Sequence, residues 1–494
     1  MPAGIDAYRR RLCARVPLTT LVTAGLLLGV YLLVQDAVTS WGAPISIPYR
    51  AWGYRYATGW LLAPFAHVSP GHLIGNLIGL AVFGTVLEAT VGHYPLRRGA
   101  VSFRGLRQHP WVRAVIVGPG VLMLVGVGLN LVALGPTIGF STVVFWLMGV
   151  LVVLRPTLAV VGLLLTDAVR VGYLAVAAPR VAVAAQAQFV TPWFAEVALQ
   201  AHAVGLLVGV LTGLLLRRRG AIASEAPGLH VAAGVVLIGV DRALWAVFFY
   251  EGGGTYVLYR AVGVAALLGV SVLIMAAVSG DRRAHAALVG LAVALAAVAV
   301  PYNVVPPATV DGPDRSLPVG PYAVSYGEAV PDASVDRIPL EVGPLSTQVT
   351  TSGVIVEDPS RGIWITAVGA RALAFEQRAT IPLAVDGARV DVEVVADRWR
   401  VQGNDSVYRV RTTAPTSSSL FESPPSTAGP VIAGEQVTLV ASPEGFLVRS
   451  AGRTRPLPGV NETVRLGPLR IRAGEDRVVA IGPDARATVF SRPS

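Results

Sequence analysis

Residues 139–155 read GFSTVVFWLMGVLVVLR, and the placement of this stretch decides the fold. It opens on small and hydroxylated residues, runs apolar to Leu154, and stops at Arg155-Pro156, about 16 residues in all. A helix that crosses a bilayer needs roughly 20. The head of this one therefore ends inside the membrane zone, with its first backbone N–H groups unpaired. Irregular backbone at that depth is tolerated only where protein buries it or water reaches it. The stretch predicts a short internal helix that begins at a wet pocket, with Ser141 at its head.

Working outward, apolar windows of membrane length fall at 17–37, 72–92, 113–134, 157–178, 196–216, 229–250, 256–279 and 284–301, giving nine with 139–154. The chain of 494 residues is 53% hydrophobic and 14% charged, with a mean hydropathy of +0.60. That excludes an ordinary soluble enzyme. The first window follows Arg9, Arg10, Arg11 and Arg15 but is too long for a signal-peptide core, and no small-x-small cleavage site follows it. It is read as an uncleaved first span.

All 40 basic residues are Arg, 21 of them against 9 acids before Pro301 and 19 against 21 acids after it. The net charge of +10 thus belongs to the apolar half, where Arg sets topology. Arg97, Arg98, Arg104 and Arg107, then Arg155, Arg217 to Arg219, and Arg282 with Arg283 mark every second connection. With the basic arm, they predict a multi-pass cell-membrane protein with a cytoplasmic N-terminus and an extracytoplasmic C-terminal part. No basic run interleaved with aromatics occurs, so no nucleic-acid partner is expected. The single Cys13 excludes a disulfide framework and a cysteine metal site, and no cofactor or metal is expected.

Three spans carry groups that hydrocarbon would not select. His72 and Asn76 lie four apart on the second span, hence on one helix face. Ser141 heads the fourth, and His202 sits on the sixth ahead of Gly205, Gly209 and Gly213. At about 1.5 Å per residue, Ser141 lies roughly 21 Å above Arg155, His202 roughly 22 Å above Arg217 and Asn76 roughly 24 Å above Gly92. These groups share one level in the outer half of the bilayer. A serine becomes nucleophilic beside a neutral imidazole, and the tetrahedral oxyanion then needs aimed donors. The Ser141 amide, His72 and Asn76 are the candidates, and Gly205 allows helix six to approach helix four. The inventory reads as acyl transfer by a Ser–His dyad without an acid. Each residue alone also has a packing explanation, and their matched depth sets the group apart.

His72-x3-Asn76, Gly139-x-Ser141 and Ala201-His202-x2-Gly205, with Phe65-Ala66-His67 and Glu88-x3-Gly92, resemble the rhomboid intramembrane serine proteases over about residues 15–218. The resemblance implies Ser141 as nucleophile and His202 as general base and then acid. It implies an oxyanion hole of His72, Asn76 and the Ser141 amide, with Gly139 shaping the turn. Two departures stand out: Thr142 replaces a Gly that usually follows the serine, and Trp60, flanked by Gly59 and Leu61, does not reproduce the family's Trp-Arg pair. Thr142 is expected to narrow the pocket.

Asp167 and Arg170, three apart on the fifth span, are expected to pair with each other. Asp241-Arg242 interrupts the seventh. No inverted repeat supports a transporter. Beyond Val300, short Val/Ile/Leu runs at 352–357, 362–368, 379–385, 389–395, 407–412, 436–441, 445–449, 464–472 and 477–482 predict an all-β domain, sandwich-like, with Trp399 in its core. Residues 413–429 read as an exposed loop. Sequons at Asn404 and Asn461 are compatible with an external location.

The expected architecture is a polytopic α-helical membrane protein: a basic cytoplasmic arm at 1–16, a six-span rhomboid-like bundle at 17–218 and three extra spans at 219–300. A Pro-rich linker at 301–321 and a β-rich domain at 322–494 complete it. The expected function is cleavage of single-pass or membrane-anchored protein substrates in the lipid bilayer, with an extracytoplasmic partner for the tail. The alternative is a rhomboid-like pseudoprotease that binds membrane clients, with the tail as receptor or adaptor.

Overall fold

The computed structural model describes residues 16–91, 109–177, 192, 194, 198–220, 222, 226–252, 254–308, 315–339, 341–342, 345–403, 405–427 and 429–492. The expectations for Arg9, Arg10, Arg11, Cys13 and Arg15, for Gly92, Arg97, Arg98, Arg104 and Arg107, and for Asn404 lie outside the described residues. Two compact units divide the chain. The first comprises Met1–Ala308, Ser334–Gln348 and Ser360–Gly362, and the second Thr309–Ala333, Val349–Pro359 and Ile363–Ser494.

Among its described residues, the first unit holds nine apolar helices: α1 (Leu18–Val34), α2 (Pro70–Val91), α3 (Arg113–Leu131), α4 (Ser141–Leu154), α5 (Pro156–Ala177), α6 (Leu199–Arg218), α7 (Gly228–Asp241), α8 (Arg260–Val278) and α9 (Arg282–Val304). Six are long and apolar enough to cross a membrane, while α1, α4 and α7 are shorter. The start of α2 is set by Ser69, whose Oγ accepts the His72 N–H at 3.2 Å, and by Pro70 in the first turn. Near the far end of α2, Glu88 accepts the Thr19 and Thr20 N–H groups of α1 at 3.0 and 3.1 Å. A carboxylate thereby meets the positive end of a helix dipole and ties α2 to α1.

Every residue of α4 from Thr142 to Leu154 is buried, as expected for a helix that is apolar all round. Its closest neighbour is α6, where Gly205, Gly209 and Gly213 repeat every four residues. A Cβ on Gly209 would lie 2.2 Å from Trp146 O, and one on Gly149 of α4 2.2 Å from Leu206 O. Such backbone contact supplies van der Waals attraction where the bilayer offers little hydrophobic drive between helices.

The seventh window is shorter than its apolar run. Helix α7 stops at Asp241, Arg242 caps it, and a hairpin of Phe248–Gly252 and Thr255–Leu258 follows. The Asp241-Arg242 pair ends the apolar face, and Tyr250 and Tyr256 pack ring to ring, 5.0 Å between centroids, across the hairpin.

On the face that carries the head of α4, a loop at 47–63 runs beside the segment 132–140. Ala51 N–H donates to Thr137 O at 3.0 Å, and Gly139 N–H to Ala63 O at 2.8 Å. The end of α9 joins them, since Asn303 O accepts from Tyr54 N–H at 3.0 Å and Asn303 Nδ2 donates to Ala133 O at 2.9 Å. The excursion Ser334–Gln348 returns to this corner. Arg337, 5% exposed, donates to Trp52 O at 2.6 Å and lies over the Tyr302 ring at 4.5 Å.

The second unit is β-rich, with an eight-stranded sheet curled as a half-barrel. Its order is Ser418–Glu422, Asp405–Ala414, Ala388–Val401, Arg486–Ser491, Arg477–Ile481, Leu469–Ala473 and Thr463–Leu466, with Arg378–Val385 also paired to Ala388–Val401. Trp399, Val401, Leu439, Ile471, Val478 and Phe490 fill one core. A separate four-stranded sheet contains Ser316–Val319, Tyr322–Pro331, Thr350–Asp358 and Ile363–Gly369.

Three expectations change here. The 464–472 run is a tight hairpin, because Gly467 takes a φ of +61° between Leu466 and Leu469. The 413–429 stretch is not all loop: Ser418–Glu422 pairs with Asp405–Ala414 and buries Leu420. The linker is shorter than 301–321, with α9 running to Val304 and the first strand beginning at Ser316.

Candidate active site

Ser141 is the first residue of α4, immediately after Phe140, whose φ and ψ of −80° and 0° end the preceding turn. From this position its side chain meets α6: Ser141 Oγ and His202 Nε2 are 2.7 Å apart. His202 Nδ1 is buried and has no hydrogen-bond partner among the described residues. The imidazole is held by stacking, with the Phe145 ring 4.3 Å away between centroids and inclined by only 16°. Phe145 stands one helical turn after Ser141, so α4 supplies both the hydroxyl and the platform beneath the imidazole. The i,i+4 spacing of Ser141 and Phe145 is the signal in the sequence, but Phe145 reads there as one more apolar residue. Glu196 lies outside the described residues.

Gly139 adopts a φ of +114°, a region that side chains other than glycine's rarely enter. A Cβ there would lie 2.4 Å from His72 Cε1, 2.6 Å from His72 Nε2 and 3.4 Å from Asn76 Nδ2. The α2 pair therefore converges on the backbone two residues before Ser141. Asn76 Nδ2 and His72 Nδ1 are buried without hydrogen-bond partners among the described residues. Unpaired buried donors of this kind are costly unless a ligand or transient species uses them. The Ser141 N–H, at the first position of α4, has no carbonyl one turn earlier in the helix to accept it, whereas the Val143 and Val144 N–H groups already donate to Phe140 O at 3.0 and 3.2 Å.

His67 backs His72, with ring centroids 5.2 Å apart. Its backbone is fixed by the buried Gln35, whose Nε2 donates to His67 O at 2.7 Å while its Oε1 accepts the His67 N–H at 2.8 Å. Burial, reinforced by His72, pushes the His67 imidazole down to about 3.

A cavity of about 370 Å³ contains Ser141, His202, His72 and Asn76. Thr142 is buried and is not among the residues lining the cavity, so the expected narrowing does not occur. Its carbonyl oxygen instead faces Gly205, where a Cβ would stand 2.6 Å away. Trp60 Nε1 donates to Tyr54 O at 3.3 Å and Trp60 O accepts from Asn130 Nδ2 at 2.9 Å, which makes it part of the loop's scaffolding.

The expected Asp167–Arg170 pair does not form. Asp167 Oδ1 lies 2.9 Å from Arg242 Nη2. Thr166 and Arg170, four apart, share the face of α5 that lines the cavity, and Asp167, one residue round the helix, turns to α7. Sequence spacing missed Arg242 because its neighbourhood is created by the packing of α7 on α5.

The arrangement can transfer a proton from hydroxyl to imidazole and can offer several N–H donors to a developing negative charge. Residues 54–219 match the family described as Rhomboid domain. The match takes in His72, Asn76, Gly139, Ser141, His202 and Gly205, and leaves out α1, α7 to α9 and the whole second unit. No curated protein and no solved structure matches the chain. Residues 54–219 of this multi-pass membrane protein are a Rhomboid domain.

Proposed function

We propose that the chain is an intramembrane serine endopeptidase that cleaves membrane-anchored proteins. The observation that carries this reading is the 2.7 Å contact between Ser141 Oγ and His202 Nε2, inside a cavity at the head of a helix. Ser141 Oγ attacks a peptide carbonyl carbon as its proton passes to His202 Nε2. The Ser141 N–H, His72 and Asn76 donate to the oxyanion, and Gly139 leaves room for them. The imidazolium then protonates the leaving amine, and a water activated by the same imidazole hydrolyses the acyl-enzyme. Catalysis without an acid behind the imidazole is supported by the Phe145 stacking, which orients the ring in its place.

Charge asymmetry supports a cytoplasmic N-terminus and an extracytoplasmic second unit. That unit would recruit substrates or an envelope partner. The second reading, a pseudoprotease that binds clients through the same bundle, keeps all of the geometry but not the turnover. Labelling of the purified protein by a fluorophosphonate decides between them. Labelling that disappears in Ser141→Ala and falls in His202→Ala is expected. Wild-type protein that stays unlabelled where a related active enzyme labels would overturn the proteolytic reading.

A further inference from the structure

The cavity that holds the dyad has a second, charged wall. Thr166 and Arg170 of α5 line it, together with Arg242 at the end of α7. Helices α4 and α5 are joined by Arg155 alone, so their heights can be measured from one point. Ser141 stands roughly 20 Å along α4 from Leu154, and Arg170 roughly 21 Å along α5 from Pro156, at about 1.5 Å per residue. The backbone at Arg170 is therefore at about the height of the backbone at Ser141.

Ion pairing sorts the charges around this wall. Arg242 Nη2 contacts Asp167 Oδ1 at 2.9 Å, and Arg242 Nε contacts Asp241 Oδ2 at 3.1 Å. Neither Asp167 nor Asp241 is among the residues lining the cavity. Arg170 feels Asp241 through space but makes no salt bridge among the described residues. The four groups sum to zero charge, yet the two cations line the cavity and the two carboxylates do not. Arg170 is exposed along the open cavity, and a guanidinium at this depth without a salt bridge among the described residues invites an anionic partner. Its planar fork matches a carboxylate in two-point geometry.

We propose that Arg170, backed by Arg242, is a specificity subsite for a carboxylate of the substrate chain. The protein would thus select transmembrane segments with Asp or Glu flanking the bond presented to Ser141. This rests on the reading that the cavity receives a polypeptide. A peptide carboxylate is favoured over a lipid phosphate because the wall belongs to the cavity of Ser141, and a headgroup remains tethered at the bilayer surface.

The test uses the full chain in phosphatidylcholine vesicles and a labelled transmembrane peptide in two versions, differing by Asp or Asn near the cleavage region. Binding is measured on the Ser141→Ala protein and cleavage on the wild type, so that recognition and hydrolysis are read separately. The Asp peptide is expected to bind about tenfold more tightly than the Asn peptide, as a charge-assisted pair implies. Arg170→Gln should erase the difference, Arg170→Lys retain part of it, and Arg170→Glu prefer a Lys peptide. Equal binding of the Asp and Asn peptides to the Arg170-containing protein overturns the subsite, whether or not cleavage occurs. Discrimination that depends on Arg170, with no cleavage of either peptide, upholds the subsite and defeats the proteolytic reading alone. If phosphatidylglycerol binds in an Arg170-dependent way and the two peptides bind alike, the wall belongs to a lipid phosphate and the proposal fails.

Discussion

Adding one methyl group at Gly205 tests the link between helix packing and chemistry most directly. The Cβ of a Gly205→Ala chain would stand 2.6 Å from Thr142 O and 3.3 Å from Phe145 Cβ. An ordinary carbon–oxygen contact of this kind is about 3.3 Å or longer, so α4 and α6 must part by about 0.7 Å. His202 is three residues before Gly205 on α6, and Ser141 adjoins Thr142 on α4, so the same parting acts on the dyad. If the helices move as rigid rods, the 2.7 Å contact opens to about 3.4 Å, beyond the range of a good hydrogen bond. A misplacement near 1 Å costs on the order of 100-fold in rate, which puts the expected loss at roughly 10- to 100-fold. Overpacking adds a stability cost of about 1–3 kcal/mol. The assay is the rate of fluorophosphonate labelling at Ser141, alongside thermal unfolding in detergent. Gly128→Ala on α3 is the control, because nothing lies within 4 Å of its added Cβ. A Gly205→Ala protein that labels and melts like the Gly128→Ala control would refute the argument that the glycine seam sets the dyad distance.

Two further outcomes follow from contacts elsewhere, and one from charge. Glu88→Gln removes the charge that holds the Thr19 and Thr20 N–H groups, and should cost about 1–2 kcal/mol by thermal unfolding; an unchanged melting point would disprove the tie between α1 and α2. Gln35→Leu leaves the His67 N–H, His67 O and Ile45 O without their partner, with an expected loss of about 2–4 kcal/mol in the same measurement. In a Cys13→Ser background, the exposed Glu444→Cys should react with a membrane-impermeant maleimide on intact cells; reaction only after lysis would invert the topology.

The sequence made the bundle legible for a simple reason. A bilayer demands long apolar helices, and the few polar residues at matched depth stand out against that demand. Ser141, His202, His72 and Asn76 are in one cavity because heights along helices follow from counting. Azimuth does not follow from counting in the same way. Asp167 and Arg170 lie within reach of each other on a helical wheel, yet they separate because α7 attracts one and the cavity the other. Phe145 was hidden for a related reason, since an aromatic in an apolar helix carries no mark of the ring it will stack on. In the tail, alternation of Val392 and Val394 with polar residues gave the strand. It could not give Ser418–Glu422, whose serines pair through backbone groups that any residue possesses.

The return of Ser334–Gln348 to the corner formed by the 47–63 loop and the end of α9 bears on heredity and on surgery alike. The polypeptide passes between its two units five times, so neither can be removed by one cut. A stop codon after Val304 would delete Arg337 as well and leave Trp52 O and the Tyr302 ring without the guanidinium that fills their corner. Such a fragment is an amputated bundle rather than an isolated one. By the same logic, a lineage that discards the β-rich tail must rebuild the 47–63 loop, which ties the inheritance of the two parts together.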